Sequence, residues 1–230
     1  MNTAIILAAG MGSRMNCGYN KQFIKIDNKE ILAHTLRAFN RCSMVDNIVI
    51  VASNNEIGYI KDNIVSKYGF NKVTSIVLGG DTRQESVYNG LKSLVDSNIV
   101  IIHDGARPFI TDRIILESIN SAIKYGASTA SVKMKDTVKR GSDNFYSDTI
   151  NRESLYSIQT PQCFNYNIIM ECHEKALLDG IIATDDSMVV EAYGHKVAIV
   201  EGSYFNIKVT TREDIYIGEG ILKAIKEDIC

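Results

Sequence analysis

Short apolar runs alternate with stretches of helical period through most of this chain, and no other feature restricts its fold as much. Ile5–Leu7, Asn47–Ala52, Val73–Leu78 and Ile99–Ile102 read as buried strands, with Ser128–Val132 as a fifth. Between them, apolar residues recur at helical spacing in Ile31–Phe39, Asn54–Lys67, Thr82–Leu94 and Asp112–Tyr125. Within Thr82–Leu94, Gly90 costs about 1 kcal/mol against alanine, which points to close packing at that position. Strands apolar on both faces that alternate with helices predict an α/β fold, a Rossmann-like, open and mostly parallel sheet flanked by helices. Loops bearing glycine or proline follow Leu7, Leu78 and Ile102. In open α/β sheets the carboxyl ends of the strands are where ligands bind.

The pattern breaks after Lys133. Thr137–Arg140, a polar Gly141-Ser142-Asp143-Asn144 turn and Phe145–Ile150 predict a hairpin with little apolar surface of its own to bury. It reads as an arm over residues 136–160, packed on a second subunit or, alternatively, simply solvated. Beyond it, Asn165–Leu178 and Asp185–Tyr193 are expected to be helical, Lys196–Val200 a strand, Asn206–Thr210 a short extended piece and Arg212–Lys226 a closing helix. Nothing in the 230 residues resembles a repeat or a linker, so one domain, 1–230, with an excursion is the economical expectation.

The loop after Leu7 reads Ala8-Ala9-Gly10-Met11-Gly12-Ser13-Arg14-Met15, with Asn20-Lys21-Gln22 behind it. Gly10 and Gly12 let backbone N–H groups approach a ligand without a Cβ in the way. Arg14 adds a planar fork of donors and Lys21 a compact charge. Such a surface suits a polyanion, phosphate first. Two phosphate motifs drop out: the P-loop string is absent, and the dinucleotide fingerprint would need a third glycine where Met15 stands.

Composition narrows the partners. A formal charge of −2 argues against bulk nucleic-acid or anionic-membrane binding but permits a local cationic pocket. No apolar run approaches the ~20 residues of a membrane span, and the start lacks a basic signal-peptide region, so a cytoplasmic location is expected. The cysteines, Cys17, Cys42, Cys163, Cys172 and Cys230, show no Cys-x-x-Cys spacing, and the histidines show no His-x-x-x-His pair. Reduced thiols and no His-based metal site are the reading.

Further motifs follow in order: Gly79-Gly80-Asp81 with Arg83 and Ser86, His103-Asp104-Gly105-Ala106-Arg107-Pro108, Asp136-Thr137-Val138-Lys139, Arg152, Thr160-Pro161-Gln162, Thr184-Asp185-Asp186 and Asn206-Ile207-Lys208-Val209-Thr210. With the first loop, this series resembles the 2-C-methyl-D-erythritol 4-phosphate cytidylyltransferase family, of the nucleotide-diphospho-sugar transferase type, from about Ala4 to Ile215. The resemblance implies transfer of CMP from CTP to 2-C-methyl-D-erythritol 4-phosphate in non-mevalonate isoprenoid biosynthesis, giving 4-diphosphocytidyl-2-C-methyl-D-erythritol and pyrophosphate. It further implies Mg²⁺ (or another divalent cation) on the phosphates and a homodimer joined through the arm. A phosphomonoester with a second pKa of about 6 is already largely dianionic at pH 7, so the nucleophile needs no general base. The site should instead be rich in cations that stabilise phosphoryl charge.

On the same resemblance, Arg14 and Lys21 hold the triphosphate, while Arg152 and Lys208 grip the acceptor phosphate. Ala8, Ala9, Gly10, Gly12, Gly80, Asp81, Ser86 and Ala106 cradle the nucleotide. Asp104, Arg107, Thr137, Thr160 and Thr184 face the acceptor, with Asp104 either a Mg²⁺ ligand or a partner for a hydroxyl. Several residues have plainer readings: Arg107 as a clamp, Asp81 as a cap for the helix from Thr82, Asp185 and Asp186 as caps for the next helix in preference to an acidic metal pair, and His103 as a packed loop residue. Asn20 stands where the family usually has proline, and Gly105 where alanine is common. A ribitol 5-phosphate cytidylyltransferase is the nearest rival, and a nucleotide-binding protein without turnover is the rival of another class.

Overall fold

The structure, a computed structural model, describes residues 1–10 and 21–227. The chain opens with β1 (Asn2–Leu7); after a small hairpin of β2 (Lys25–Ile26) and β3 (Lys29–Glu30) come α1 (Ile31–Arg41) and β4 (Asn47–Ala52). The helix expected over 54–67 forms in pieces, α2 (Ile57–Ile60) running into a wider π-helical stretch at Lys61–Ser66. Then follow β5 (Val73–Leu78), α3 (Arg83–Lys92), β6 (Ile99–Asp104), α4 (Asp112–Tyr125) and β7 (Ala127–Lys133). The arm is β8 (Val138–Ser142) and β9 (Phe145–Ile150); β10 (Tyr156–Asn165), α5 (Tyr166–Asp179), α6 (Asp186–Glu191), β11 (Ala198–Glu201) and α7 (Glu213–Lys226) complete the chain.

Seven strands form the main sheet in the order β11-β7-β10-β6-β1-β4-β5. The β1–β4, β1–β6, β4–β5 and β7–β11 pairs are parallel, and only β10 runs antiparallel to its neighbours. Alternation along each strand explains why these runs are apolar throughout. Ala4 and Ile6 face Leu36, Phe39, Ile60 and Ile115 on one side of the sheet. Ile5 and Leu7 face Val87, Leu91, Phe164 and Ile169 on the other. Gly90 is the point of closest approach: an added Cβ would lie 2.9 Å from Ile5 Cγ2, so the glycine lets α3 lie flat on β1.

The structure corrects one bound of the sequence reading. Residues 156–160, expected within the arm, belong to β10, which pairs with both β6 and β7. Its sequence, Tyr156-Ser157-Ile158-Gln159-Thr160-Pro161-Gln162-Cys163-Phe164-Asn165, hides the strand because Pro161 and the polar Gln159, Thr160 and Gln162 around it interrupt the apolar pattern. The interruption is tolerated because the register shifts between Ile158 and Gln162, where a proline without an N–H breaks no regular ladder. Asn206–Thr210, read as a short extended piece, pairs with no strand of the sheet and lies against the loop after β6, with Val209 N–H donating to Ala106 O at 2.9 Å.

The hairpin itself forms as expected, turning through Asp143 and Asn144 at positive φ. Phe145 and Tyr146 are 80% and 78% exposed. Among the described residues no helix is long and apolar enough to cross a membrane. Cys42, Cys163 and Cys172 are free and buried.

Candidate active site

Loops from neighbouring strands meet where β1, β5 and β6 end. Gly105 N–H donates to Leu7 O at 2.9 Å, Ala8 N–H to Val51 O at 2.7 Å and Gly79 N–H to Ala52 O at 2.9 Å. Ala9 packs so tightly on Gly79 that a Cβ there would lie 2.6 Å from the Ala9 Cβ. Gly10 follows, exposed, and a Cβ there would meet nothing within 4 Å among the described residues. Gly12 and Arg14 lie outside the described residues. Lys21 opens a single 3₁₀ turn, Lys21–Phe23, whose buried Gln22 points its Oε1 at Gly105. Gly105 also has Leu7 O at 2.9 Å from its absent Cβ, so the alanine common at this position would require this turn to shift.

The loop after β5 is shaped from within. Ser86 Oγ accepts from Gly80 N–H at 3.1 Å. Thr82, not Asp81, caps α3, in a reciprocal capping box with Glu85. The capping role considered for Asp81 therefore falls to its neighbour, and the exposed Asp81 carboxylate has no partner among the described residues. It stays available to a ligand.

A cluster of charges sits at the end of β6. Asp104 is buried, and Lys208 Nζ lies 2.8 Å from its Oδ2. Arg83 Nε is 3.6 Å from Oδ1 and Arg107 Nε 3.7 Å from Oδ2. Burial alone would raise the Asp104 carboxyl, but the charges of Lys208, Arg83 and Arg107 outweigh it and hold the group well below the usual carboxylate range. Arg107 is both clamp and charge, its Nη1 donating to Asn206 O at 2.8 Å while burial lowers its own pKa. Asn206 in turn donates to Thr160 O at 2.9 Å and Gln159 Oε1 at 3.2 Å, which fixes the Lys208 segment on β10.

This arrangement suits a salt-bridge hub better than a metal ligand. Among the described residues no group of three or more His, Cys, Asp or Glu could hold a metal ion. Mg²⁺ is usually held by one or two carboxylates plus substrate phosphates, and the Asp104 carboxylate already faces three cations. The metal-ligand reading of Asp104 does not fit.

Thr160 also turns inward. Its Oγ1 accepts from Asp104 N–H at 3.1 Å and contacts His103 Nδ1 at 3.0 Å, while His103 Nε2 meets Arg107 O at 3.2 Å. One assignment satisfies the chain: Thr160 donates to Nδ1, and Nε2–H donates to the carbonyl. Thr160 is thus a bracket for Asp104 and not a free donor for substrate. His103 is the packed histidine expected, and burial lowers its pKa to about 4. A depressed histidine adds stability that is complete above its unfolded value near 6.5 and lost as pH falls through the folded value, at most about 3 kcal/mol here. The urea midpoint of the wild type should therefore fall between about pH 7 and about pH 4 more steeply than that of His103→Asn. Parallel curves for the two proteins would remove this role.

Thr184 is exposed between two pinned neighbours, Ala183 N–H donating to Gln84 Oε1 and Asp186 N–H to Gln162 Oε1, both at 3.0 Å. Asp185 caps α6 as expected, accepting from Met188 N–H at 2.9 Å. Asp186 does not cap; it is buried and binds Arg83 at 2.8 Å. Arg152 and Thr137 are exposed at the base of the arm. Arg152 donates to Lys135 O at 2.5 Å, and among the described residues no hydrogen bond or ion pair joins either residue to the Asp104 cluster.

The family model for 2-C-methyl-D-erythritol 4-phosphate cytidylyltransferase matches residues 2–224. The chain belongs to this family. A protein of that name from Clostridium novyi is 56% identical over 226 residues, covering 98% of each chain. Another, from Clostridium acetobutylicum, is 51% identical over 224 residues, covering 97% of this chain and 98% of its own. The crystal structure of 4-diphosphocytidyl-2C-methyl-D-erythritol synthase from Anaerococcus prevotii superposes with a TM-score of 0.86 at 37% identity, covering 97% of this chain and 96% of that one. As a member of the cytidylyltransferase family the chain is an enzyme, a transferase. The sequence reading assigned no role to Arg83, which the fold of this family brings to Asp104. Its place in the Gly79-Gly80-Asp81 motif was the available signal.

Proposed function

We propose that this enzyme transfers CMP from CTP to 2-C-methyl-D-erythritol 4-phosphate, releasing pyrophosphate, and that the cluster around Asp104 is where the acceptor phosphate is received. The observation that carries the reading is the convergence of Arg83, Arg107 and Lys208 on one buried carboxylate at the strand ends. Three cations against two carboxylates, Asp104 and the Asp186 that Arg83 also binds, leave this edge with one surplus positive charge, which suits the meeting of two phosphate anions. Lys208, its side chain 36% exposed, is the cation placed to reach the incoming phosphate while Asp104 holds its ammonium still. Lys21, with Arg14 seven residues earlier in the sequence, would carry the triphosphate. Ala8, Ala9, Gly10, Gly80 and the exposed carboxylate of Asp81 would receive the nucleotide, with Asp81 able to accept from the cytosine amino group. Thr184 would meet the acceptor hydroxyls. A Mg²⁺ ion brought by CTP would neutralise phosphate charge and take the phosphate oxygens as its main ligands.

We also propose a homodimer. An isolated hairpin is at best marginally stable in water, and Phe145 and Tyr146 at its tip are largely exposed. A second copy would cover the arm and receive Arg152 and Thr137.

Pyrophosphate release from CTP, measured with each acceptor in turn, tests the function. Release is expected with 2-C-methyl-D-erythritol 4-phosphate and not with ribitol 5-phosphate. The reverse result would overturn the acceptor, and release with neither would overturn the reaction.

A further inference from the structure

Asp186 is a costly residue. It is 1% exposed, and a carboxylate taken out of water loses several kcal/mol of hydration that an ion pair repays only with good geometry. An apolar residue at such a position often serves stability as well or better, so a buried aspartate invites a reason beyond stability. Its surroundings supply one. Oδ2 is 2.8 Å from Arg83 Nη2, and the Nε of the same guanidinium lies 3.6 Å from Asp104 Oδ1. One planar fork therefore spans two buried carboxylates, and the second of them holds Lys208 at 2.8 Å. On its far side, Oδ1 of Asp186 faces the buried His173 Nε2 at 3.5 Å.

Both ends of the bridge are anchored. Gln162 of β10 accepts from the N–H groups of Asp186 and Ser187, at 3.0 and 3.2 Å, and donates to Asp185 Oδ2 at 2.9 Å. Gln84, beside Arg83, donates to Ile181 O at 3.1 Å and accepts from Ala183 N–H at 3.0 Å. These ties hold the backbone at Asp186 against β10 and the start of α3, and Thr160 Oγ1 holds the Asp104 N–H at 3.1 Å on the other side. Burial alone would raise the Asp186 carboxyl, but Arg83 and His173 together outweigh it and hold the group below its ordinary value.

We propose that Asp186 is a positioning residue for CMP transfer: through Arg83 it sets the carboxylate of Asp104, and so the ammonium of Lys208. Without the Asp186 charge, Arg83 is free to close on Asp104 and compete with Lys208 for it. The inference rests on the reading of Lys208 as the acceptor-phosphate cation.

A double-mutant cycle tests it. Asp186→Asn keeps the shape and removes the charge. It should lower kcat/KM for the acceptor about tenfold in the wild-type background and less than about twofold when Arg83 is already alanine. A structural role alone would give the same fold-loss in both backgrounds, and that result, or no loss from Asp186→Asn, overturns the proposal. Asp186→Glu should recover part of the activity. If Asp186→Asn does not fold, Arg83→Lys reports the same bridge, since an ammonium cannot span both carboxylates. Activity of Arg83→Lys within about twofold of wild type overturns the proposal as well. Wild-type turnover is measured first. Should it be absent, the proposed reaction fails by itself, and the cycle is read in the Kd for inorganic phosphate, the probe of the Lys208 site, where the same non-additivity is expected and additivity overturns the coupling.

Discussion

Replacing Lys208 with alanine is expected to lower kcat by about two to three orders of magnitude in a protein that still folds. The rate estimate follows from the ~2.7–4 kcal/mol that a preorganised donor to a developing oxyanion can supply. The mild effect on folding follows from what remains. Asp104 keeps Arg83 at 3.6 Å and Arg107 at 3.7 Å, so its charge stays compensated. The lysine side chain is 36% exposed, and the pair is discounted accordingly to about 1–2 kcal/mol, a Tm shift of a few degrees. Steady-state kinetics and calorimetry on the one variant separate the two effects. A kcat within a fewfold of wild type would remove Lys208 from the reaction. Asp104→Asn is the contrasting case. Because the Asp104 carboxyl is depressed in the folded state, its contribution is complete above the unfolded value of about 3.9 and lost as pH falls below it. The Tm gap between wild type and Asp104→Asn should therefore be full at neutral pH and close only in acid.

The sheet was legible because its strands are buried on both faces and so carry uninterrupted apolar runs, as in Ile99–Ile102 and Asn47–Ala52. β10 was not, because its buried side chains are polar for reasons that lie elsewhere in the chain. Gln162 pins α6, Thr160 brackets Asp104, and Gln159 receives Asn206. A pattern search sees polarity and a proline, and reports a loop. The same limit applies to the charges. Asp104 and Lys208 were singled out by motif, but that they touch is a property of the fold. The partner of Arg83 lies 103 residues away, and no local spacing announces it. Asp81 shows the opposite error, in which a cap was considered one residue early and the capping box of Thr82 and Glu85 releases the aspartate to face solvent. Glycines spoke most clearly, since Gly79, Gly90 and Gly105 each mark a real close approach.

Mixing two inactive variants should restore activity if the arm serves its neighbour. Arg152 stands at the base of the hairpin with its guanidinium on Lys135 O and has no contact with the Asp104 cluster among the described residues. In a twofold dimer, a residue that cannot reach its own site can reach the partner's by the same operation that brings the partner's residue back. Arg152→Ala and Lys208→Ala should each be nearly inactive as homodimers. In the heterodimer, the chain that keeps Lys208 receives the intact Arg152 of the other, and one complete site forms. The second site then carries both lesions. Random exchange of subunits at equal concentration makes half the dimers mixed, so roughly a quarter of wild-type turnover should return. If Arg152 acts within its own chain, each site of the mixed dimer keeps one lesion and mixing restores nothing. Exchange must be verified on the same sample, by mass or by energy transfer between labelled chains. A mixed dimer that forms but stays inactive places Arg152 in the site of its own chain and leaves the arm a role in association alone.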